Sequence, residues 1–209
     1  MMYTVKEMFF TIQGEGYNYG KYAVFCRFTG CNLWSGLEKD RAKAICKFCD
    51  TDFIGTNGIN GKKFKNAEEI TNKALSIWKV KNKPFVVLTG GEPMLQVNDK
   101  LINALHKKNF NIAIETNGTI KVPNEIDWIC VSPKSETKIL QNYGNELKLV
   151  YPQENISPKS FENMKFDYFY LQPKYDNNYK ENVILARKFC RDNPQWKLSF
   201  QMHKFIGIP

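Results

Sequence analysis

The sequence predicts an α/β fold built on a mostly parallel sheet. Three observations predict it. Apolar runs of strand length recur along the chain. Helical patterns lie between them, so the order strand, helix, strand repeats, which implies right-handed crossovers and a largely parallel sheet. The conspicuous glycine, cysteine and charged residues fall directly after the strands, where open and closed α/β folds place their ligand sites.

The elements follow in order. KYAVFCRFTG (21–30) alternates Ala23, Phe25 and Arg27 with Val24, Cys26 and Phe28, a strand pattern. NAEEITNKALSIW (66–78) has Asn66 as N-cap with Glu69 three residues on. Its Ile70, Ala74, Ile77 and Trp78 share one helical face. PFVVLTGG is the next strand, and NDKLINALHKK reads as a second helix. NIAIETNG, IDWICVSP, NELKLVYP and FDYFYLQP are strands, NYKENVILARKFCRD a third helix, and WKLSFQMH a last strand. One rim should therefore gather Gly30 and Cys31, Thr89 to Pro93, Glu115 to Gly118, Ser132 to Lys134, and Gln172 with Pro173.

Composition narrows the class. A chain of 209 residues buries roughly 70% of its unfolded surface, so it folds without disulfide staples. No linker, repeat or low-complexity stretch divides it, and residues 1–209 are expected to form a single domain. No apolar run reaches the roughly 18 residues that span a bilayer, and MMYTVKEMFFTIQGEG lacks the pattern of a secretion signal. The expectation is a cytoplasmic protein with no membrane partner, whose six cysteines are free thiols or metal ligands. The net charge is +9, but no block of five like charges occurs. This fits lysines scattered over a solvated surface better than a nucleic-acid site.

Three cysteines stand close in sequence: Cys31, then Cys46 after fourteen residues, then Cys49 after two more. A 4Fe–4S cluster takes one thiolate per iron, so three leave one iron open to a ligand. The segment between Cys31 and Cys46 is then an insertion at the rim. The Cys-x-x-Cys pair also fits half of a zinc site or a redox dithiol. The second close pair of a zinc ribbon is missing: Cys130, Cys190, His106 and His203 each stand alone. Cys26 lies near enough to be a fourth ligand, but its strand alternation makes it a packed thiol. Spacing alone leaves an open cluster and zinc as equal alternatives.

With LTGGEP after the second of these strands, the three cysteines resemble the radical S-adenosylmethionine (SAM) superfamily, whose usual spacing is Cys-x-x-x-Cys-x-x-Cys. The expanded first gap is similar to that in some 7-carboxy-7-deazaguanine synthases. FFTIQGEG, FCRFTGCNLW, CKFCDTDF, LTGGEP, IETNGT, VSPK, LQP and HKFIGIP match that family's pattern in order along the whole chain. The resemblance implies a partial β/α (TIM-like) barrel, a radical SAM core reduced in size. It implies a 4Fe–4S cluster on Cys31, Cys46 and Cys49, and Mg²⁺ on Thr51. It puts SAM against Phe48, Cys49, Asp50, Gly91, Ser132, Pro133, Lys134 and Gln172. It puts substrate against Ile12, Gln13, Gly14, Glu15, Arg27, Thr89, His203 and a carboxylate at Pro209.

The implied substrate is 6-carboxy-5,6,7,8-tetrahydropterin. SAM, cleaved reductively, yields a 5′-deoxyadenosyl radical that abstracts hydrogen from it; the ring contracts, ammonia leaves and SAM is regenerated. The residue types suit this chemistry. Carboxylates accept from the N–H donors of a guanine-like edge, Arg27 can clamp a carboxylate, and a hydroxyl suits Mg²⁺. Each also has a plain structural role open to it: Glu15 in a turn, Arg27 on a strand surface, Thr51 as a helix cap. The implied partners are a flavodoxin or ferredoxin as electron donor and a second copy of the chain. Two other readings stay open on the sequence: a short radical enzyme such as a glycyl-radical activase, and a zinc-containing RNA-binding module. The C-terminal HKFIGIP is expected to pack back through Phe205, Ile206 and Ile208.

Overall fold

Local signals in the chain set its helices. Asn66 accepts a hydrogen bond from the Glu69 amide at 2.9 Å and opens α1 (Ala67–Ile77). Asn98 accepts from the Leu101 amide at 3.1 Å and opens α2 (Asp99–Lys107). The third helix, α3 (Tyr179–Asp192), starts without a side-chain cap. It is held by burial of Asn182 and Ala186, and Asn182 ties its first turn to the Lys174 carbonyl at 2.8 Å. The computed structural model describes residues 1–209.

The strands are β1 (Tyr3–Ile12), β2 (Tyr22–Phe28), β3 (Lys62–Phe64), β4 (Phe85–Gly90), β5 (Asn111–Thr116), β6 (Trp128–Val131), β7 (Tyr143–Tyr151), β8 (Lys165–Pro173) and β9 (Trp196–Leu198). They form one mixed sheet in the order β3-β1-β2-β4-β5-β6-β7-β8-β9. From β2 to β9 every pairing is parallel. At the other edge β1 pairs antiparallel with both β2 and β3. β3 and β9 do not pair with each other, so strand bonding does not close the sheet.

The pleat divides the sheet's residues between two faces. Val24, Cys26, Phe28, Val86, Leu88, Ile112, Ile114, Leu147 and Leu149 turn to the main core with the helices. Ala23, Val87 and Ala113 turn to the other face, beside Phe25 and Trp128. Further along the same registers this second face presents Arg27, Thr89, Glu115 and Lys148 to a cavity. Cys26 is buried on the core face, as its alternation predicts.

Four expectations change. β1 and β3 are additional strands; Lys6 and Glu7 interrupt the apolar alternation of β1, and its register shifts between Val5 and Glu7. The connections from β5 to β6 and from β6 to β7 carry no helix. WKLSFQMH is a strand only over its first three residues, and Met202–Ile206 is instead a short helix, α4. Phe205 and Ile206 stay more than half exposed, while Ile208 is half-buried. No helix is long and apolar enough to cross a membrane.

Candidate functional site

The cavity lies at the C-terminal ends of the parallel strands and has a volume of about 330 Å³. Its lining includes every cluster, SAM, Mg²⁺ and substrate contact implied by the resemblance except Pro133, while of the expected rim residues Gly30, Glu92, Pro93 and Gly118 do not line it. Pro133 instead offers its carbonyl to Gln153 Nε2 at 3.2 Å, outside the cavity.

One wall carries the thiols. Cys31 follows β2, and Cys46 and Cys49 follow a turn of 3₁₀ helix at Glu38–Lys43. The Ile45 and Cys46 amides both donate to the Leu33 carbonyl, at 3.1 and 3.2 Å. This closes the neck of the insertion and returns the chain beside Cys31. Trp34 packs edge-on against Phe53, with 5.5 Å between ring centroids, and the Arg41 guanidinium lies 4.0 Å over the Trp34 ring. Behind Thr51, the Lys6 ammonium donates to Asp52 at 2.6 Å, the Ile54 carbonyl at 3.0 Å and Asn57 at 2.7 Å. All three of its protons are engaged, so it pins the loop.

Cys46 is pulled down to about 6 by its hydrogen bond with Cys49, with burial opposing and Lys134 assisting. The same bond, and burial, push Cys49 up. Burial pushes Cys31 up. One member of the close pair thus holds thiolate character. No three His, Cys, Asp or Glu side chains converge on a point where one metal ion could sit. Tetrahedral zinc, with bonds of about 2.3 Å, needs thiolates about 3.8 Å apart. A multi-iron cluster takes each thiolate on a different iron, and with three thiolates one iron is left open to a further ligand.

The floor of that side is LTGGEP. Gly91 lies so near the neighbouring loop that a Cβ would stand 2.1 Å from the Gly30 carbonyl oxygen, so no larger residue fits. Glu92 is fully buried and points away from the cavity. Its carboxylate accepts from the Met94 amide (2.9 Å), the Thr116 hydroxyl (2.7 Å) and the Asn117 amide (2.8 Å). It therefore rivets the turn after β4 to the end of β5. Burial holds its carboxyl above the ordinary range, against those bonds. Lys134 folds back on Ser132, donating to its carbonyl at 2.7 Å and its hydroxyl at 2.8 Å. Gln172 accepts from Ser199 at 3.3 Å. Asp50, beside the cysteines, pairs with Lys204 of α4, and Phe48 and Thr51 complete this side.

The other wall is charged and sits on strands. Gln13 donates to Glu115 at 2.9 Å and accepts from the Glu15 amide at 3.1 Å. Glu15 pairs with Lys148 at 2.5 Å and accepts from Gln201 at 3.1 Å. Burial works against ionisation of Glu15, but the charge and hydrogen bond of Lys148 outweigh it and hold the carboxyl low. Arg27 donates through Nε to Glu7 at 2.8 Å, which leaves its fork's outer nitrogens to the cavity. His203 stands over Gly14, where a Cβ would meet Nδ1 at 2.7 Å. Burial holds its imidazole below the ordinary range, with Glu15 opposing. The Thr11 hydroxyl donates to the Pro209 oxygen at 3.0 Å. Glu115 and Lys148 line this wall but are not among the contacts expected from the sequence. The available signal was charge at the cavity-facing register, as in Leu147-Lys148-Leu149.

The Radical SAM superfamily model matches residues 41–147. The chain belongs to that superfamily and is an enzyme of it, a membership that implies dependence on SAM and iron–sulfur chemistry. It is 54% identical to the 7-carboxy-7-deazaguanine synthase of Caulobacter vibrioides and 52% identical to that of Burkholderia multivorans, in each case across 100% of both chains. The relative from Nitratidesulfovibrio vulgaris is 46% identical, again over the full length of both. The crystal structure of QueE from Escherichia coli shares the fold with a TM-score of 0.68, at 24% identity, over 96% of this chain and 94% of that one. Within the superfamily, the chain belongs to the 7-carboxy-7-deazaguanine synthase family.

Proposed function

We propose that this enzyme makes 7-carboxy-7-deazaguanine by ring contraction of 6-carboxy-5,6,7,8-tetrahydropterin, with loss of ammonia, in queuosine biosynthesis. One observation carries the substrate and site assignment: a single cavity is lined both by three thiols and by carboxylate, amide and guanidinium groups. The first set suits a cofactor and the second a heterocycle with N–H donors and a carboxylate.

On this reading Cys31, Cys46 and Cys49 hold a 4Fe–4S cluster, and the donor set fits it. Bound there, the cluster and SAM supply the hydrogen-abstracting chemistry that begins the contraction. The chain's own residues bind, orient and exclude water. Gly91 lets backbone reach the SAM amino group, and Phe48, Asp50, Ser132, Pro133, Lys134 and Gln172 complete that site. Pro133 takes part through the backbone of its turn, since its ring does not line the cavity. Gln13 and Glu15 accept from the guanine-like edge of the pterin, with Ile12, Gly14, Thr89, His203 and Pro209 around it. Arg27 clamps the carboxylate, and Thr51 gives one oxygen to Mg²⁺.

The parallel strands then form the partial β/α barrel of a single domain, with the rim insertion between Cys31 and Cys46. The enzyme works as a cytoplasmic homodimer fed by a flavodoxin or ferredoxin, without nucleic acid or membrane as partner. The test is anaerobic turnover: cluster-loaded enzyme, SAM, Mg²⁺, reductant and the tetrahydropterin, with product read by mass. Formation of the deazaguanine is expected. SAM cleavage without it would overturn the substrate assignment.

A further inference from the structure

Lys148 is a cation in an unusual place. It projects from β7, between Leu147 and Leu149 of the core, into the cavity. Its side chain is only 4% exposed. An ammonium so buried is costly unless paired. Two carboxylates face it, Glu15 at 2.5 Å and Glu115 at 3.4 Å. Each of these uses its other oxygen on an amide: Glu15 on Gln201, Glu115 on Gln13. A chain of contacts thus runs Gln13, Glu115, Lys148, Glu15, Gln201, and Lys148 is the one cation that joins the two carboxylates; Gln13 also bridges them, through the Glu15 amide. An ammonium carries three protons. One is donated to Glu15, Glu115 faces a second as an ion pair at 3.4 Å, and the third makes no hydrogen bond to a protein group.

We propose that Lys148 is a positioning residue for the pterin: it keeps Glu15 and Glu115 together as acceptors and offers its remaining proton to the bound ring. The inference rests on the reading of this cavity as a pterin site. Without the cation, two partly buried carboxylates would share one wall, and like charges so placed resist ionising together. The other groups about Lys148 cannot replace it. Glu146 lies two residues away on the same face, and burial holds it above the ordinary carboxyl range. The Cys130 thiol is pushed well up by burial, with Glu146 adding to the effect. His203, near Glu15, has its imidazole held low by burial.

The test compares wild-type, Lys148→Met and Lys148→Arg enzymes, each with cluster reconstituted anaerobically. Lys148→Met is expected to raise KM for the pterin roughly 30-fold or more, with iron content and KM for SAM unchanged. Its kcat/KM for the pterin should climb with pH through the neutral range, as the second carboxylate loses its proton, where wild type is flat. Lys148→Arg keeps the cation and should restore the flat profile. Wild-type pterin affinity and pH profile in Lys148→Met would overturn the proposal. So would parallel loss of iron, SAM and pterin binding, which marks a structural role. If Lys148→Met is insoluble, Lys148→Arg decides: a shift confined to the pterin KM supports the proposal, and equal losses for SAM and pterin refute it. A wild-type enzyme that cleaves SAM but leaves the pterin unchanged would fail the underlying reading instead.

Discussion

The two walls of the cavity are built by opposite means. The thiol wall is irregular chain, held by two amides on the Leu33 carbonyl, an aromatic pair and the Lys6 anchor. The charged wall stands on strand ends and the buried chain of contacts through Lys148. A cluster on the first wall would bind irregular chain, as metal sites do when binding and folding are coupled. The other is already ordered, so less freedom is lost when substrate docks. A cofactor that remains bound can organise its own loop, whereas a substrate that leaves after each turnover gains from a wall set in advance.

If the thiol wall is organised by its cluster, single thiols there matter most. Changing Cys31, Cys46 or Cys49 to Ala should abolish turnover and strip iron and sulfide, whereas Cys26→Ala, in the core behind β2, should keep both. Metal analysis after anaerobic reconstitution decides this, and a Cys26→Ala protein that folds without cluster would break the contrast.

The floor tests whether the thiol side has any rigid part. Glu92→Ala leaves two amides and a hydroxyl buried without an acceptor, at about 1–3 kcal/mol for each unsatisfied group. Denaturant unfolding should show a loss of about 3 kcal/mol or more, along with weaker SAM binding. An unchanged midpoint would mean the turn needs no rivet.

Acid should damage the charged wall by a definite route. The folded-state pKa of His203 lies below the ordinary value of about 6.5. Its neutral form therefore predominates at pH 7 and is lost as pH falls through that lowered value. The pterin KM should stay flat from pH 7.5 to about 6.5 and rise below it, and His203→Asn should remove the rise. A KM that climbs already between pH 7.5 and 6.5 would put an ordinary or raised histidine there.

The smallest effect concerns Thr51. Its hydroxyl is one weak oxygen ligand among several, so Thr51→Ala should raise the Mg²⁺ needed for half-maximal rate several-fold, with little change at saturation. Identical Mg²⁺ titrations for both proteins would take Thr51 out of the metal site.

What could be read in advance differed between the walls in the same way. The cysteines, LTGGEP and QGEG are contiguous signals, and Asn66 caps its helix as its spacing predicts. The sequence places Glu115 at the rim but gives it no contact, and Lys148 was harder to see. Charges inside strands look like solvent-facing alternation until the sheet shows which face encloses the cavity. β1 hid for a related reason, since Lys6 and Glu7 break its apolar pattern although Lys6 is buried by the loop it pins. The C-terminal helix is five residues long, too short for its period to register, and Phe205 and Ile206 look like core residues but stay exposed.

The contacts that finish the charged wall also imply an order of events in folding. Thr11 meets Pro209 across 198 positions, Glu15 meets Gln201 across 186, and Gly16 meets Ser199 across 183. The contacts that hold the cysteine loop and the LTGGEP turn lie within the first 117 residues, the Asp50–Lys204 pair apart. Closing such long loops carries the larger entropic penalty and comes late unless something else has already drawn the ends together. A folding intermediate can therefore present the cysteines in near-final surroundings while the other side is still open to water. On the proposed reading, capture of iron and sulfide in that interval would be free of competition from substrate, and the pterin would find its pocket only in molecules whose two distant segments have already met.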